Sequence, residues 1–455
     1  MKPFTLRDAL KAVDGRYYGD ETALDAAVDR VTSDSRTVGP GALFIALKGT
    51  RVDGHDFMAA CIASGATACL SEREPTPREQ PAIVVDSTLR ATGALAAWHR
   101  ARFDIPVIGI TGSVGKTTTK EMIAAVLSQR YNTHKTEKNL NNELGVPWTL
   151  MRLDEEHQVS VVEMGISDFG EMRRLTHMVR PDIAVFSVIG DAHLEFLGDR
   201  EGVLRAKGEI FEGMDATGLA VLNGDDPLLR ECRPRMRRVT YGLSEGCDVR
   251  GEDVRNLGED GMRLTVRHPG GAFEVHIPAF GSHLVSSALA AAAVGLELGL
   301  TGEEIARGVA QYRTVGDRAR VIHTSGLTIV SDCYNANPNS CRAAVDSLMQ
   351  LDGERRICIL GDMLELGSRS PVLHREVGAH AAEAGVDLVV GCGPLSGSVA
   401  EGARDAGGHA LYYPDKAALL AVLEEIVRPG DCVLVKASHS MAFEEIVRRL
   451  AGGTD

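Results

Sequence analysis

The chain has 455 residues, 44% of them hydrophobic and 25% charged, which is the composition of an ordinary soluble protein with room for about three domains. Its formal net charge of -14 at pH 7 argues against a general nucleic-acid-binding surface and against attachment to anionic membranes, because an acidic protein gains nothing by releasing the counterions of either. The N-terminus lacks the apolar segment of a secretion signal, and the chain has no apolar run of about 18 residues, so we expect a cytoplasmic protein that does not insert into the membrane.

The first hundred residues alternate between helix and strand patterns. One polar stretch here, Thr32-Ser33-Asp34-Ser35-Arg36, is typical of a turn between strands. Arg36 also carries the planar guanidinium that can hold a phosphate by two hydrogen bonds, so both interpretations remain open from the residues alone. The predicted helices span residues 5–13, 57–64 and 89–102, and the predicted strands span residues 42–47 and 82–85.

A strand that turns through glycines into a helix organises the middle of the chain. The β-branched run at residues 107–110 predicts a buried strand, and residues 117–130 have helical periodicity. Glycines in the turn between them let successive backbone N–H groups point at one anion beside a helix N-terminus. The common nucleotide-binding pattern has a further glycine where Ile110 stands, so the fit is to a variant, T-G-x-x-G-K-T. We interpret the stretch as a nucleotide phosphate-binding loop: Thr111-Gly112-Ser113-Val114-Gly115-Lys116-Thr117-Thr118.

The chemistry of this loop assigns roles to two of its side chains. Lys116 would reach the β- and γ-phosphates, and the hydroxyl of Thr117 would ligate a magnesium ion.

Further polar groups lie before the next predicted strand and at its end. Residues 138–147 place three asparagines within four positions, where side-chain amides suit polar recognition and helix capping equally. The strand at 159–165 then ends its apolar run in Glu163. Because ligands bind at the carboxyl ends of strands in open α/β sheets, we expect Glu163 to hold a magnesium ion or its water.

His193 and Lys207 are weaker candidates. His193 follows the strand predicted over 183–189. That strand is the third in succession to bring a polar group to one edge of the sheet, which favours a functional role for His193 over that of an ordinary surface or core histidine. Lys207 lies in a helix predicted over 204–211, between two small residues that would let another part of the chain approach. From the residues alone, a solvated helix lysine is the favoured interpretation of Lys207.

The second half of the chain predicts a small antiparallel excursion and a further sheet. Residues 249–277 alternate weakly and contain many glycines, and two helices follow at 284–298 and 302–312. The strand predicted at 327–331 leads into a polar loop, residues 332–340. Later strands, which alternate with helices as in a doubly wound sheet, are predicted at residues 356–360, 388–390 and 432–435.

We therefore expect an α/β protein of three domains. Residues 1–102 would form a small mixed α/β domain, residues 103–314 a doubly wound parallel sheet that carries the phosphate loop, and residues 315–455 a Rossmann-like α/β domain.

The stretch Gly391-Cys-Gly-Pro-Leu-Ser396 nearly matches the dinucleotide-binding fingerprint G-x-G-x-x-G after a strand. Ser396 stands at the third glycine position and Pro394 interrupts the turn. We interpret it as a loop without a nucleotide.

Taken together, these stretches resemble the Mur ligase family over essentially the whole chain. The glycine-lysine loop alone is shared with many nucleotide hydrolases, whereas YNANPNS and LGDMLELG are typical of the branch of the family that adds the last peptide unit. The matching pieces are ITGSVGKTTTKEM from Ile110, NNELGVP from Asn141, VVEMG from Val161, AHLE from Ala192, AKGEIF from Ala206, YNANPNS from Tyr334 and LGDMLELG from Leu360.

The resemblance implies a bacterial, ATP-dependent amide ligase of peptidoglycan synthesis. ATP would phosphorylate the terminal carboxylate of UDP-N-acetylmuramoyl-tripeptide, and the amine of D-alanyl-D-alanine would attack the acyl phosphate to give a pentapeptide, ADP and phosphate. The expected cofactors are therefore ATP and Mg²⁺, the expected partners are these small molecules, and we expect a monomer.

The resemblance also implies site residues. Thr117 and Glu163 would hold one magnesium ion, and His193 together with a carbamylated Lys207 would hold a second. Asn142 would lie in a loop that places substrate and nucleotide, and the UDP-sugar would bind the loop of Ser33, Asp34, Ser35 and Arg36. The ATP contacts from the third domain would be Arg318, Asp332, Asn335 and Asn337.

The chain departs from the family pattern in two places. The alanine-rich helix of the family opens G-x-H-N-V-x-N-A-L, whereas this chain has Leu284 and Ser287 in place of the asparagines near the adenine. The usual V-K-G-S-R near the C-terminus ends here in His439. If that arginine grips a carboxylate of the dipeptide, the imidazole of His439 should grip it less well near neutral pH.

Two other classes of protein share single features with this sequence. A phosphate-loop switch or motor ATPase would have the loop but would not need polar loops from two further domains. A dinucleotide-dependent oxidoreductase would rest on the imperfect Gly391 stretch alone.

Overall fold

A computed structural model describes residues 1–50, 52–314, 316, 319–324 and 326–452 of the chain. Within these residues, no helix combines the length and the apolar character needed to cross a membrane. The elements fall into three sheets in chain order, which are called here the N-terminal, central and C-terminal sheets.

The N-terminal sheet has the strand order β2-β7-β6-β5-β4, parallel except for the antiparallel pair β2–β7. A two-stranded ribbon of β1 and β3 lies beside it. The strands are β1 (Phe4–Thr5), β2 (Arg16–Tyr18), β3 (Ala27–Val28), β4 (Arg30–Thr32), β5 (Ala42–Ile45), β6 (Ala68–Ser71) and β7 (Ala82–Val84), and the helices are α1 (Leu6–Val13), α2 (Met58–Ala63) and α3 (Thr88–Arg100).

The central sheet has the order β16-β15-β14-β13-β12-β11-β8-β10-β9, parallel from β9 to β14 and antiparallel in β14–β16. Its strands are β8 (Val107–Thr111), β9 (Thr133–Lys135), β10 (Val159–Glu163), β11 (Ile183–Phe186), β12 (Leu219–Asn223), β13 (Arg237–Gly242), β14 (Val249–Asn256), β15 (Met262–His268) and β16 (Gly271–Ile277). Its helices are α4 (Lys116–Leu127), α5 (Gly145–Met151), α6 (Glu171–Val179), α7 (Leu194–Leu197), α8 (Arg200–Gly208), α9 (Pro227–Glu231), α10 (Leu284–Glu297) and α11 (Gly302–Ala310).

The C-terminal sheet has the order β17-β18-β22-β19-β20-β21, with β17 antiparallel to β18 and the other pairs parallel. Its strands are β17 (Arg320–His323), β18 (Thr328–Asp332), β19 (Arg355–Gly361), β20 (Leu388–Cys392), β21 (Ala410–Tyr413) and β22 (Asp431–Lys436). Its helices are α12 (Pro338–Leu348), α13 (Ser370–Glu383), α14 (Gly397–Asp405), α15 (Lys416–Leu420), α16 (Leu423–Ile426) and α17 (Glu444–Leu450).

The predicted α/β class is confirmed, and so is the antiparallel excursion, which consists of β14–β16. The buried strands explain this agreement. The side chains of β8 and β10 are all buried, and strands covered on both faces have the continuous apolar runs that the sequence shows.

Most predicted elements keep their bounds to within two residues, and two of the larger differences have a visible cause. The strand predicted over 183–189 ends at Phe186, because the next residues turn to the phosphate loop, where Ser113 N–H donates to Val188 O over 2.7 Å. The helix predicted over 204–211 is α8, which begins one turn earlier. Asp199 caps its N-terminus, since its carboxylate accepts a hydrogen bond from Gly202 N–H, and the helix ends at Gly208 before a 3₁₀ turn.

The C-terminal sheet packs against the central one at the loop that follows β11. Asp191 N–H donates to Asn339 Oδ1 over 3.0 Å, and Arg369 lies 3.7 Å from the Asp191 carboxylate. A cavity of about 440 Å³ lies between the two sheets and is lined by residues of both sides.

Candidate active site

The phosphate loop begins where β8 ends and finishes where α4 begins. Gly112 and Gly115 have φ angles of +143° and +82°, in the region that glycine adopts far more readily than other residues. Side-chain bonds to the loop after β11 hold this conformation: the Ser187 hydroxyl donates to Val114 O over 2.5 Å, and Ser113 Oγ accepts from Gly190 N–H over 3.0 Å. The loop is thus shaped before any ligand arrives.

Most of the predicted loop residues line the cavity, from Ser113 through Thr118. Lys116 extends over the loop and donates from Nζ to Gly112 O over 2.8 Å. Thr111 and Gly112 lie beneath the loop and do not line the cavity. Thr111 is fully buried, and its hydroxyl has no hydrogen-bond partner among the described residues.

Glu163 lies at the end of β10, directly beside the start of α4. The Thr117 hydroxyl contacts both carboxylate oxygens, at 3.1 and 2.9 Å, and Asn141 Nδ2 donates to Oε1 over 2.8 Å. Glu163 is 1% exposed, and the carboxylate faces the cavity. Hydroxyl and carboxylate oxygens at this spacing are the ligand types that Mg²⁺ prefers.

Lys120 is a buried lysine that was not predicted as a site residue. It is fully buried on α4, where its Nζ donates to Thr136 O over 2.7 Å and lies 2.9 Å from a Glu121 oxygen and 3.9 Å from Glu163 Oε2. Its position in the run Thr117-Thr118-Thr119-Lys120, one helical turn after Lys116, was the available signal.

His193 lies at the cavity wall on the loop after β11. Its Nδ1 is 2.5 Å from Glu365 Oε2, a residue of the C-terminal sheet's side of the cavity. This hydrogen bond lowers the pKa of Glu365, so Glu365 is a carboxylate at neutral pH. Glu365 belongs to the LGDMLELG stretch but was not predicted as a site residue.

Lys207 is fully buried on α8, which excludes the solvated helix lysine that the residues alone favoured. Its Nζ has no hydrogen-bond partner within the part of the chain that the structure describes. Burial holds the pKa of Lys207 well below its ordinary value, and the nearby charge of Lys116 lowers it further, whereas Glu171 opposes the shift. A neutral amine in such a place is a nucleophile rather than a cation.

The C-terminal sheet brings a polar loop to the other side of the cavity. Asp332, Asn335 and Asn337, which the sequence predicts as ATP contacts, all line it. Asn337 is also the N-cap of α12, where its Oδ1 accepts from Ser340 N–H over 2.9 Å. Lys436 was not predicted as a site residue. It is buried at the end of β22, and its Nζ donates to Asp332 Oδ2 over 2.6 Å and to Asn335 O over 2.8 Å.

Asn142 lines the cavity and also supports a helix start. It lines the cavity, and its Oδ1 accepts from Leu144 N–H and Gly145 N–H at 3.2 and 2.9 Å, which supports the first turn of α5. Its neighbour Asn141 is the asparagine that contacts Glu163.

The loop of Ser33 to Arg36 is separate from this cavity, since none of its residues is among the lining residues in the described chain. Arg36 is exposed and forms two hydrogen bonds with the Asp34 carboxylate, at 2.8 and 2.7 Å. Of the predicted ATP contacts, Arg318 lies outside the described residues.

The two departures from the family pattern lie in or beside the cavity. Leu284 and Ser287 line it from α10, and Ser287 Oγ is 3.0 Å from Thr119 Oγ1. The exposed ring of His439 lies 5.5 Å from the ring of Tyr334, which lines the cavity, and its Nδ1 is 3.5 Å from Glu444.

The near-match to a dinucleotide fingerprint is closed by the protein's own side chains. Asp362 Oδ1 accepts hydrogen bonds from Ser396 Oγ over 2.6 Å and from Leu395 N–H over 3.0 Å. A carboxylate therefore lies where a dinucleotide would need room for its pyrophosphate, in agreement with the interpretation as a plain loop.

Comparison with known proteins gives matches along the whole chain. Residues 27–107 match the model of the Mur ligase family catalytic domain, residues 110–295 the Mur ligase middle domain, and residues 317–439 the Mur ligase glutamate ligase domain.

Two curated relatives carry the name UDP-N-acetylmuramoyl-tripeptide–D-alanyl-D-alanine ligase. The protein from Bacillus subtilis (strain 168) is 39% identical over 92% of this chain and 92% of its own length. The one from Escherichia coli (strain K12) is 38% identical over 99% of both.

Solved structures agree with these matches. A crystal structure of MurF from Acinetobacter baumannii superimposes with a TM-score of 0.92, at 33% identity and over 99% of each chain. The MurF ligase from Thermotoga maritima in complex with ADP has a TM-score of 0.83 and 29% identity, over 93% of this chain and 97% of that one.

Proposed function

This chain belongs to the Mur ligase family, and from that premise we propose that it joins D-alanyl-D-alanine to UDP-N-acetylmuramoyl-tripeptide at the expense of ATP. The products are UDP-N-acetylmuramoyl-pentapeptide, ADP and phosphate, and the reaction is a cytoplasmic step of peptidoglycan synthesis. The observation that carries the proposal is the single cavity in which a phosphate loop, the buried carboxylate Glu163 and the polar loop after β18 meet. Near-full-length identity to relatives that bear this ligase name supports the choice of substrates.

The chemistry begins with a carboxylate, which is a poor electrophile. Transfer of the ATP γ-phosphoryl group to one carboxylate oxygen forms an acyl phosphate and releases ADP. The amine of the dipeptide then attacks the carbonyl carbon, the amide bond forms, and phosphate leaves with the carboxylate oxygen.

Two anions approach each other in the first step, the substrate carboxylate and the γ-phosphate, so positive charge must lie between them. Lys116, which extends over the phosphate loop, supplies one such charge, and the loop N–H groups with the N-terminus of α4 supply partial positive charge. Placing three substrates in line contributes about 7 to 11 kcal/mol through positioning alone.

Three of the predicted magnesium ligands, Thr117, Glu163 and His193, line the cavity, and the fourth, Lys207, is buried outside its described lining. Thr117 and Glu163 present oxygen ligands side by side, and they would hold one ion. His193 and Lys207 would hold a second, with Lys207 as a carbamate: its buried, neutral and unpartnered amine is the form that combines with CO₂ to give an anionic oxygen ligand. When bound, Mg²⁺ neutralises phosphate charge and acts as a Lewis acid on the transferring group.

The remaining assignments follow the three sheets. Residues 1–102 bind the UDP-sugar through the loop of Ser33 to Arg36, where Arg36 exchanges its contact with Asp34 for a phosphate. Residues 103–314 bind ATP, and residues 315–455 bind the dipeptide and contact ATP through Arg318, Asp332, Asn335 and Asn337. We expect the protein to act as a monomer.

An isotope experiment tests the acyl phosphate directly. The tripeptide substrate is labelled with ¹⁸O in its terminal carboxylate, and the released phosphate is analysed by mass spectrometry after complete ligation. One ¹⁸O atom per phosphate is expected. Unlabelled phosphate would mean that ATP hydrolysis and ligation are not joined through this intermediate, as in a switch or motor ATPase.

A further inference from the structure

His193 and Glu365 meet across the interface between the central and C-terminal sheets. His193 lies on the loop after β11, and Glu365 lies on the loop after β19, in the stretch LGDMLELG. Their side chains are joined at 2.5 Å, between Nδ1 and Oε2, and of the two residues His193 lines the cavity. The two halves of this contact thus come from different sides of the site.

The backbone has an unusual conformation at both residues of this contact. His193 and Glu365 have φ angles of +57° and +61°, a left-handed conformation that residues other than glycine seldom adopt. The backbone also bridges the interface here, since Glu195 N–H donates to Glu365 O over 3.3 Å. Left-handed residues persist where the surrounding structure holds them, and they cluster at functional sites.

The contact fixes which nitrogen of His193 is available to a ligand. A carboxylate can only accept a hydrogen bond, so Nδ1 must carry the proton that it donates to Glu365. Nε2, the other ring nitrogen, then faces away from Glu365 and is the one left for a ligand. This is the arrangement by which a carboxylate sets the ring orientation and tautomer of a metal-binding histidine.

We propose that Glu365 is a positioning residue, by which the C-terminal side of the cavity orients His193 for the divalent cation of the central side. The proposal rests on the proposed function, in which His193 holds a magnesium ion. Its consequence is that the second cation site is complete only when the two sheets are closed on each other, so ATP turnover in an open molecule is disfavoured.

The chain contains a matched control for the test. His323 Nε2 lies 2.8 Å from Glu259 Oε2, and this second histidine–glutamate contact also joins the C-terminal sheet to the central part of the chain. Neither residue lines the cavity within the described chain, and both are about half exposed. Glu259→Ala therefore removes a contact of the same chemistry between the same parts, without touching the site.

The experiment measures cation binding rather than turnover. Mn²⁺ replaces Mg²⁺, a non-hydrolysable ATP analogue and the UDP-tripeptide are held at saturation, and the electron paramagnetic resonance signal of free Mn²⁺ counts the ions bound per chain. For Glu365→Ala we expect the Mn²⁺ concentration that half-fills the weaker site to rise by about 10- to 100-fold. For Glu365→Gln, whose amide oxygen can still accept from Nδ1, we expect a smaller rise, and for Glu259→Ala a value within about twofold of wild type.

Equal shifts in Glu365→Ala and Glu259→Ala would reduce Glu365 to an ordinary interface contact and overturn the proposal. An unchanged Mn²⁺ affinity of the weaker site in Glu365→Ala would also overturn the proposal; if the alanine variant does not fold, the same result in Glu365→Gln would do so. A wild-type protein that binds only one Mn²⁺ per chain would overturn it as well. Failure of the proposed function is separate, because it shows as wild-type phosphate release that does not depend on the two substrates.

Discussion

Lys207 has an amine for which burial disfavours the charged form. It is fully buried, its Nζ has no partner among the described residues, and its pKa lies well below the ordinary value. A methionine of similar volume would remove this unsatisfied polar group, so Lys207→Met should unfold at the same temperature as wild type or higher.

The same substitution should nevertheless reduce kcat for ligation by about 10²- to 10³-fold. It removes a ligand of the second magnesium ion, whose positive charge stabilises the transition state. Steady-state kinetics and thermal denaturation of Lys207→Met give the two numbers. A variant that ligates at the wild-type rate would show that the amine is only a packing defect, and no carbamate would be needed.

His439 occupies the position at which the family pattern has arginine. Its exposed ring lies beside Tyr334, and its Nδ1 is 3.5 Å from Glu444. An imidazole has at most two N–H donors, whereas the guanidinium of an arginine has five. We expect His439→Arg to lower the Michaelis constant for D-alanyl-D-alanine by about 3- to 10-fold and to leave that for ATP unchanged. An unaltered dipeptide constant would remove His439 from the dipeptide site.

At the scale of elements, strand-to-helix junctions of the central sheet were the most predictable part of the molecule. The phosphate loop, Glu163 and His193 each follow a strand whose apolar run is visible in the sequence, and all three line one cavity. Short edge strands such as β9 and β21 were missed, because three or four half-exposed residues carry little periodicity.

Residues whose role is to contact another site residue were also not predicted from the sequence. Lys120 and Lys436 are lysines buried against Glu163 and Asp332, and a sequence shows a lysine without showing that it is buried. Glu365 contacts His193 across 172 positions of sequence, and pairing at that separation is set by the packing of one sheet on another. Local patterns do not contain that information.

Gly112 tests whether the shape of the phosphate loop matters as an element. A Cβ at this position would overlap the Ser187 hydroxyl and approach its backbone nitrogen, and φ is +143°. Gly112→Ala should therefore push the phosphate loop away from the residues that follow β11 and weaken ATP binding by at least about tenfold.

The matched control for that variant is Gly39→Ala, since a Cβ on Gly39 would meet open space. Calorimetric titration of both variants with a non-hydrolysable ATP analogue makes the comparison. Wild-type affinity in Gly112→Ala would mean that the loop adapts freely, and its preformed shape would then have no part in binding.

At the scale of the whole molecule, the active site depends on how the central and C-terminal sheets meet. The cavity of about 440 Å³ is lined from both sides. We therefore propose that the two sides close on each other after the substrates have entered and open again for the products to leave. We expect small-angle scattering to show a smaller radius of gyration when ATP analogue and UDP-tripeptide are added together. An unchanged radius with both ligands bound would contradict closure as a step of the reaction.

The central claim is that phosphate transfer in this cavity serves the ligation of two substrates. The most direct measurement is phosphate release from ATP and Mg²⁺, with UDP-N-acetylmuramoyl-tripeptide and D-alanyl-D-alanine each present or withheld. We predict release that continues through many turnovers only when both are present, with one pentapeptide formed per phosphate. Release that is indifferent to both substrates would identify a plain nucleotide hydrolase and contradict the roles given to Glu163, His193 and Lys207.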